Sequence, residues 1–414
     1  MQMNSGSRIA LIAALALSGA VLAAAPSSAQ AQAAAQGREF TLSKEERAGI
    51  LPLQSAILAS NFGAAAAALP AAQSAARSAD ARYFVAQYQL RLGIGTNNDA
   101  MQAQAIDQII ASGAAPAADL PQLYANQGAH AAGTGNLKKA EAAYARLADI
   151  TPNDPEALAM YAEVKNDLGK IPEAATLFDR AITLRQAAGQ PVPQSWYKRA
   201  FKIAYDGRIA PLGLKFGRQM VTAYSNSENW RDVILAHRDL GVPDAEAKLD
   251  LYRLMRSSNA LHGERDYQEF ATTFNNAGLS GEAKAVLDEG VSRKMVDPAK
   301  SVFKELIAST SKRATTAKAG LGSLQTKAMA SATGTLALGA GDALLGQGDP
   351  SKAAELYAAA LQKGSVDANL ANNRLGIALA VAGRRAEAEA ALRAVTGPRA
   401  NLAALWLAWL ASRA

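Results

Sequence analysis

The 414-residue sequence predicts an all-α chain, folded as an α-solenoid of antiparallel helix pairs, and two observations carry the prediction. First, half the residues are hydrophobic but only 6% are aromatic, because alanine dominates the apolar half. Alanine has the highest helix propensity, whereas sheet favours β-branched and aromatic residues. Second, a pattern of glycine, alanine and aromatic residues recurs at a fixed interval, the mark of a repeat architecture.

The N-terminus has the three regions of a secretory signal peptide. Met1 to Arg8 is short and singly positive, Ile9 to Ala25 is apolar, and small-residue cleavage options follow up to Ala29-Gln30-Ala31. Residues 1–31 are expected to be removed and the protein to be exported, periplasmic or associated with the cell envelope. Downstream, no run of 18 uninterrupted apolar residues occurs.

The repeat is clearest where Ala140 and Tyr144 are matched by Ala174 and Phe178, an interval of 34 residues. Gly135 and Gly169 precede the alanines at equal distance, and Pro152 closes the first unit. Near the C-terminus Gly348, Ala353 and Tyr357 are echoed by Gly383, Ala388 and Leu392, at an interval of 35. Gly278, Ala283 and Leu287 repeat the spacing once more. Each residue type has a physical task. The alanine sits where two helices cross closely, the residue four positions on shares its face and fills the gap to the next pair, and the glycine occupies the turn.

This pattern resembles the tetratricopeptide repeat (TPR), of exported bacterial type given the leader. Five units are legible, at about 121–154, 155–188, 264–297, 334–368 and 369–402. The expected organisation is a helical solenoid over 36–190, an irregular helical middle with one repeat-like unit over 191–300, a connecting helix or linker over 301–333, and a repeat pair with a capping helix over 334–414. In the last helix, Leu402, Leu405, Trp406, Trp409 and Leu410 form one wide apolar face. It is expected to cover the last repeat, the alternative being contact with a partner or a membrane surface.

Little in the sequence points to catalysis. There is no cysteine, so disulfides, thiolate sites and cysteine nucleophiles are excluded. His130, His237 and His262 lie at no metal-ligand spacing, and no phosphate-binding loop or nucleophile elbow occurs. No metal, cofactor or catalytic residue is expected. The net charge of +7, from 43 basic and 36 acidic residues, is mild for this length. The nearest approach to a basic cluster runs from Lys300 to Lys327, and no nucleic-acid partner is expected.

The resemblance implies a ligand groove lined by the first helix of each unit, at its second, fifth, sixth, ninth, twelfth and thirteenth positions. In the unit from Pro121 these include Gln122 and Asn126, among Ala125, Ala129, Ala132 and Gly133. In the unit from Pro155 they are Glu156, Ala159, Met160, Glu163, Asn166 and Asp167, and in the unit from Glu264 they include Gln268 and Asn275. Family members that clamp a C-terminal carboxylate place basic and polar residues where this chain has Ala125 and Ala129. The small-walled, acidic face instead suits an extended or helical segment of basic character. The expected function is a non-catalytic, protein-binding scaffold of the cell envelope. The alternative is an envelope enzyme or polysaccharide-export accessory with a site in the irregular middle.

Overall fold

A computed structural model describes residues 40–241 and 243–413, so the expected signal peptide lies outside the described residues. The described residues form twenty α-helices and no strand. They divide into two compact units, one ending at Pro191 and one beginning at Val192.

The N-terminal unit stacks four helical hairpins: α1 (Lys44–Leu58) with α2 (Phe62–Ala75), α3 (Ala79–Gly95) with α4 (Asp99–Ser112), α5 (Leu120–Gly133) with α6 (Leu137–Ile150), and α7 (Pro155–Asp167) with α8 (Ile171–Ala187). Side chains at helix starts fix the boundaries. Ser43 accepts from the Glu46 amide at 3.1 Å while Glu46 accepts from the Ser43 amide at 2.9 Å, a reciprocal cap on α1. The other Glu46 oxygen accepts from the Arg77 and Ser78 amides, at 3.1 and 2.6 Å, tying α1 to the start of α3. Asp154 caps α7 ahead of Pro155, which sits where a helix needs no N–H.

The repeat grammar takes the predicted geometry. Ala140 and Ala174 are wholly buried at their hairpin crossings. Gly135 and Gly169 adopt φ of +79° and +74°, where a side chain would be strained. A further small position emerges in the first helices. A Cβ on Gly128 would lie 2.8 Å from the Tyr144 ring, and a Cβ on Gly341 would lie 2.6 Å from the ring of Tyr357. In these two hairpins the aromatic of the second helix therefore packs onto backbone left bare in the first, and Leu392 does the same over Gly376.

The C-terminal unit begins with α9 (Gln194–Asp206) and α10 (Ala210–Ala223), followed by α11 (Ser227–Leu240) and α12 (Ala245–Ser257). The hairpin of α13 (Gly263–Asn276) and α14 (Ser280–Ser292) comes next, then the 30-residue α15 (Ser301–Ala330). Two hairpins, α16 (Thr335–Gly346) with α17 (Pro350–Lys363) and α18 (Ala368–Val381) with α19 (Arg385–Arg393), lead to α20 (Ala400–Ala411). Residues 301–330 thus form a continuous helix, packed between α14 and α16. The middle, the connector and the C-terminal pair, expected as successive regions, belong to one compact unit.

Helix α20 covers α19, the last helix of the repeats, and also reaches back to α10 and α12. Leu405 and Trp406 are wholly buried and Trp409 is nearly so. The Trp409 indole N–H donates to the Ser257 carbonyl at 3.1 Å, and Arg399 pairs with Asp244 at 2.7 Å. The apolar face is therefore spent on this unit's own helices, as expected of a capping helix. Among the described residues, no helix is long and apolar enough to cross a membrane.

Candidate partner-binding site

In the N-terminal unit, the predicted groove residues sit on α5 and α7, and the structure leaves most of them within reach of solvent. Gln122 is half-buried and donates to the Asn126 side-chain oxygen at 3.0 Å, one turn on; Asn126 itself is buried. On α7, Met160, Glu163 and Asn166 are half-buried, whereas Glu156 and Asp167 are exposed. Glu156 accepts from Arg185 at 2.5 Å, which fixes α7 to α8. Met160 packs, with Tyr124 and Tyr161, against the core of the two hairpins. The cation of this helix, Lys165, is buried and turned to the other side, held by Glu141 at 2.7 Å and Glu173 at 2.5 Å. Burial opposes its charge, but the two carboxylates more than offset this and raise its pKa. Glu156, Glu163 and Asp167 line the outward face of α7, with Glu156 neutralised by Arg185.

The C-terminal unit uses its first-helix positions differently. On α13, Gln268 is exposed and Asn275 half-buried, with the Asn275 side-chain oxygen buried and unpaired. Carried into the last two units, the same register places Asp342 ninth in its unit, and Asn373 and Arg374 fifth and sixth in theirs. All three are buried, and what covers them is α12 of the same chain. The Asp250 carboxylate accepts from Asn373 at 2.9 Å and from Arg253 at 2.8 Å. Arg253 also pairs with Glu282 at 3.0 Å, and Arg374 with Asp342 at 2.6 Å and with Glu246. Tyr357 donates to Asp342 at 2.7 Å. On its other side α12 places the Tyr252 ring 5.5 Å from Phe270 and donates its hydroxyl to Glu269 at 2.5 Å. Thus α12 lies against the groove positions of three repeat units as a ligand would.

The electrostatics suit a structural network. Three buried carboxylates, Asp250, Glu282 and Asp342, surround two buried guanidiniums. Burial raises the Asp342 pKa, and the two arginines offset only part of this. Arg253 is also disfavoured by burial, but its three carboxylates overcome this and hold its pKa well above the usual value. Among the described residues no group of three or more His, Asp or Glu is placed to hold a metal ion. Of the histidines, His237 is buried in α11, and burial followed by the nearby Arg218 lowers its pKa to about 4. It is neutral at ordinary pH.

No protein-family model and no curated protein matches the chain. Among solved structures, it is similar to a chain of Naa15/Naa10 bound to HypK-THB, at 13% identity and a TM-score of 0.43. That match covers 86% of this chain and 65% of the other, so the chain spans less than two thirds of that relative. A tetratricopeptide repeat protein from Parabacteroides merdae aligns at 12% identity and a TM-score of 0.31, covering 81% of this chain and all of that one. A chain of the Cut9–Hcn1 hetero-tetramer of the APC/C aligns at 12% identity and 0.25, covering 87% and 66%. With buried signature alanines, left-handed turn glycines and, at Gly128 and Gly341, aromatic rings seated on bare first-helix backbone, each unit is built of antiparallel helix pairs that resemble tetratricopeptide repeats.

Proposed function

We propose that the protein is a non-catalytic scaffold of the cell envelope that presents the first-helix face of α5 and α7 to a basic segment of a partner protein. One observation carries this reading. In the tandem pair the groove positions Glu156, Met160, Glu163, Asn166 and Asp167 are at least partly open to solvent, whereas their C-terminal counterparts Asp342, Asn373 and Arg374 are covered by α12. A groove filled by its own chain offers no surface to a partner; an open one lined with carboxylates attracts cationic side chains. Of the carboxylates of the middle region, Asp250 and Glu282 are engaged by Arg253 in a buried structural network rather than presented to a substrate.

The test is affinity capture from an envelope fraction with the chain and with its Glu163→Lys/Asp167→Lys variant, which leaves the Glu156–Arg185 pair in place. Proteins retained by the first and lost by the second, with unchanged melting, support the reading. An identical set of captured proteins sinks it. Export is tested separately by N-terminal sequencing of fractionated material, and an intact Met1 on cytoplasmic protein would refute it.

A further inference from the structure

The charge of the molecule is unevenly placed. Residues 192–414 carry 29 basic and 21 acidic residues, a net of +8, against 14 and 15 in residues 1–191. Half of that excess lies on α15, which has Lys304, Lys312, Arg313, Lys318 and Lys327 but a single acid, Glu305. Other cations of the unit are neutralised locally: Lys284 by Asp288, Lys300 by Glu264, Lys352 by Asp349, Arg384 by Glu387. The five on α15 are all exposed, and none has an ion-pair partner among the described residues. They are spread along a helix of 30 residues, about 45 Å at 1.5 Å per residue.

We propose that the outward face of α15 docks an acidic helix of a partner protein, at a second surface independent of the α5–α7 face. The inner side of α15 is occupied: Phe303, Thr310, Ala314 and Ala328 are buried against the unit. The outward side shows only cations, Glu305 and small residues between 305 and 327. A bilayer would need large apolar side chains along the face to enter it, and α15 exposes them only at its two ends, Val302 and Met329. Nucleic acid would be served by aromatic stacking and arginine forks, but the helix's one aromatic, Phe303, is buried and Arg313 is its one arginine. A helix with carboxylates at one- to three-turn intervals matches the lysine spacing. Small residues such as Ala308, Thr315, Ala319 and Gly322 let it lie close enough for flexible lysines to reach those carboxylates.

The experiment uses the full chain and a fluorescent, helical Glu/Ala-repeat peptide about eight turns long, read by anisotropy at about 50 mM and about 500 mM salt. Two variants lose the same charge. One removes it from α15 (Lys304→Gln, Lys312→Gln, Lys318→Gln, Lys327→Gln), and the other from paired sites of the same unit (Lys202→Gln, Lys284→Gln, Lys352→Gln, Arg393→Gln). The expected result is salt-sensitive binding weakened about ten-fold by the α15 set and little by the other, with both variants melting like the parent. Equal loss in both variants means a diffuse charge effect and overturns the proposal, as does no binding of the peptide. Phosphatidylglycerol vesicles and a DNA duplex are tested in parallel. Tighter binding of either, lost with the α15 set, assigns the face to that class and refutes the acidic-helix occupant.

Discussion

The tandem pair of α5–α8 and the repeats of the C-terminal unit share a grammar but use their first-helix faces in opposite ways. Both bury the crossing alanine completely, and both seat an aromatic on bare backbone. In the first, the groove positions carry polar side chains half open to water. In the second, equivalent positions carry Asp342, Asn373 and Arg374, joined to α12 through a buried network. The scaffold residues therefore report the fold, and the groove residues report whether the groove is free. A repeat match alone is silent on the second point.

The comparison predicts unequal sensitivity to mutation. The largest effect is expected from deleting residues 401–414. Helix α20 buries two tryptophans and three leucines against α10, α12, α18 and α19. At ~25 cal/mol per Å² its loss removes on the order of 5–10 kcal/mol and exposes α12 and α19. The truncated chain should aggregate or dimerise, as read by light scattering; a monomer of unchanged melting temperature would show that α20 is not structural.

Next in size is Arg374→Ala. It leaves the buried Asp342 carboxylate without its closest cation and strips Asp250 of one neighbour, for an expected loss of about 3–5 kcal/mol in denaturant unfolding. Asp342→Asn in the same chain removes the stranded charge and should recover part of it. Asp167→Ala, at an exposed groove position of the tandem pair, should change stability by no more than about 0.5 kcal/mol. Equal costs for Arg374→Ala and Asp167→Ala would erase the distinction between a filled and an open groove.

Smaller is Ala174→Leu, which overpacks a wholly buried crossing and should cost about 1–3 kcal/mol. Ala353→Leu should cost a similar amount, because the scaffold is common to both regions. An unchanged melting temperature for either would mean that the repeat register is displaced.

The smallest effect concerns acid. Burial works against the Glu46 charge, but the amides of Ser43, Ser78 and Arg77 prevail and lower its pKa from 4.5 to about 2. Because the folded-state pKa is depressed, this contribution is complete above pH 4.5 and fades as pH falls from there towards 2. Glu46→Gln should flatten the acid limb of a melting-temperature profile in that window, and an identical limb would remove Glu46 from the account.

The hairpins were legible because their determinants are local: a glycine, an alanine and an aromatic at set distances, with Asp or Asn at the helix starts. Even so, the task of Gly128 is set by a ring 16 residues on, Tyr144, and shows only in the packing. Helix α12 was not legible. Asp250 and Arg253 alternate with Leu249, Leu251, Tyr252 and Leu254, so neither an apolar stripe nor a solvated face stands out. Its partners Asn373 and Arg374 lie more than 120 residues away, beyond the reach of any spacing rule. The register did offer one clue, since a charged pair at groove positions of the last units needs a counterpart. The apolar face of α20, by contrast, is local and legible, whereas its contacts with α10 and α12 are not local and leave no mark in the sequence.

Because α20 meets α10 and α12, the C-terminal unit has a fixed repeat number. An open array gains a repeat by duplication, since a new pair needs only its neighbours. Here an extra 34 residues between α17 and α18 would carry Arg374 away from Asp250 and Trp409 away from Ser257. Any lineage that lengthens this protein would do so outside the closed set of helices, or would first have to give up α12 as its lining.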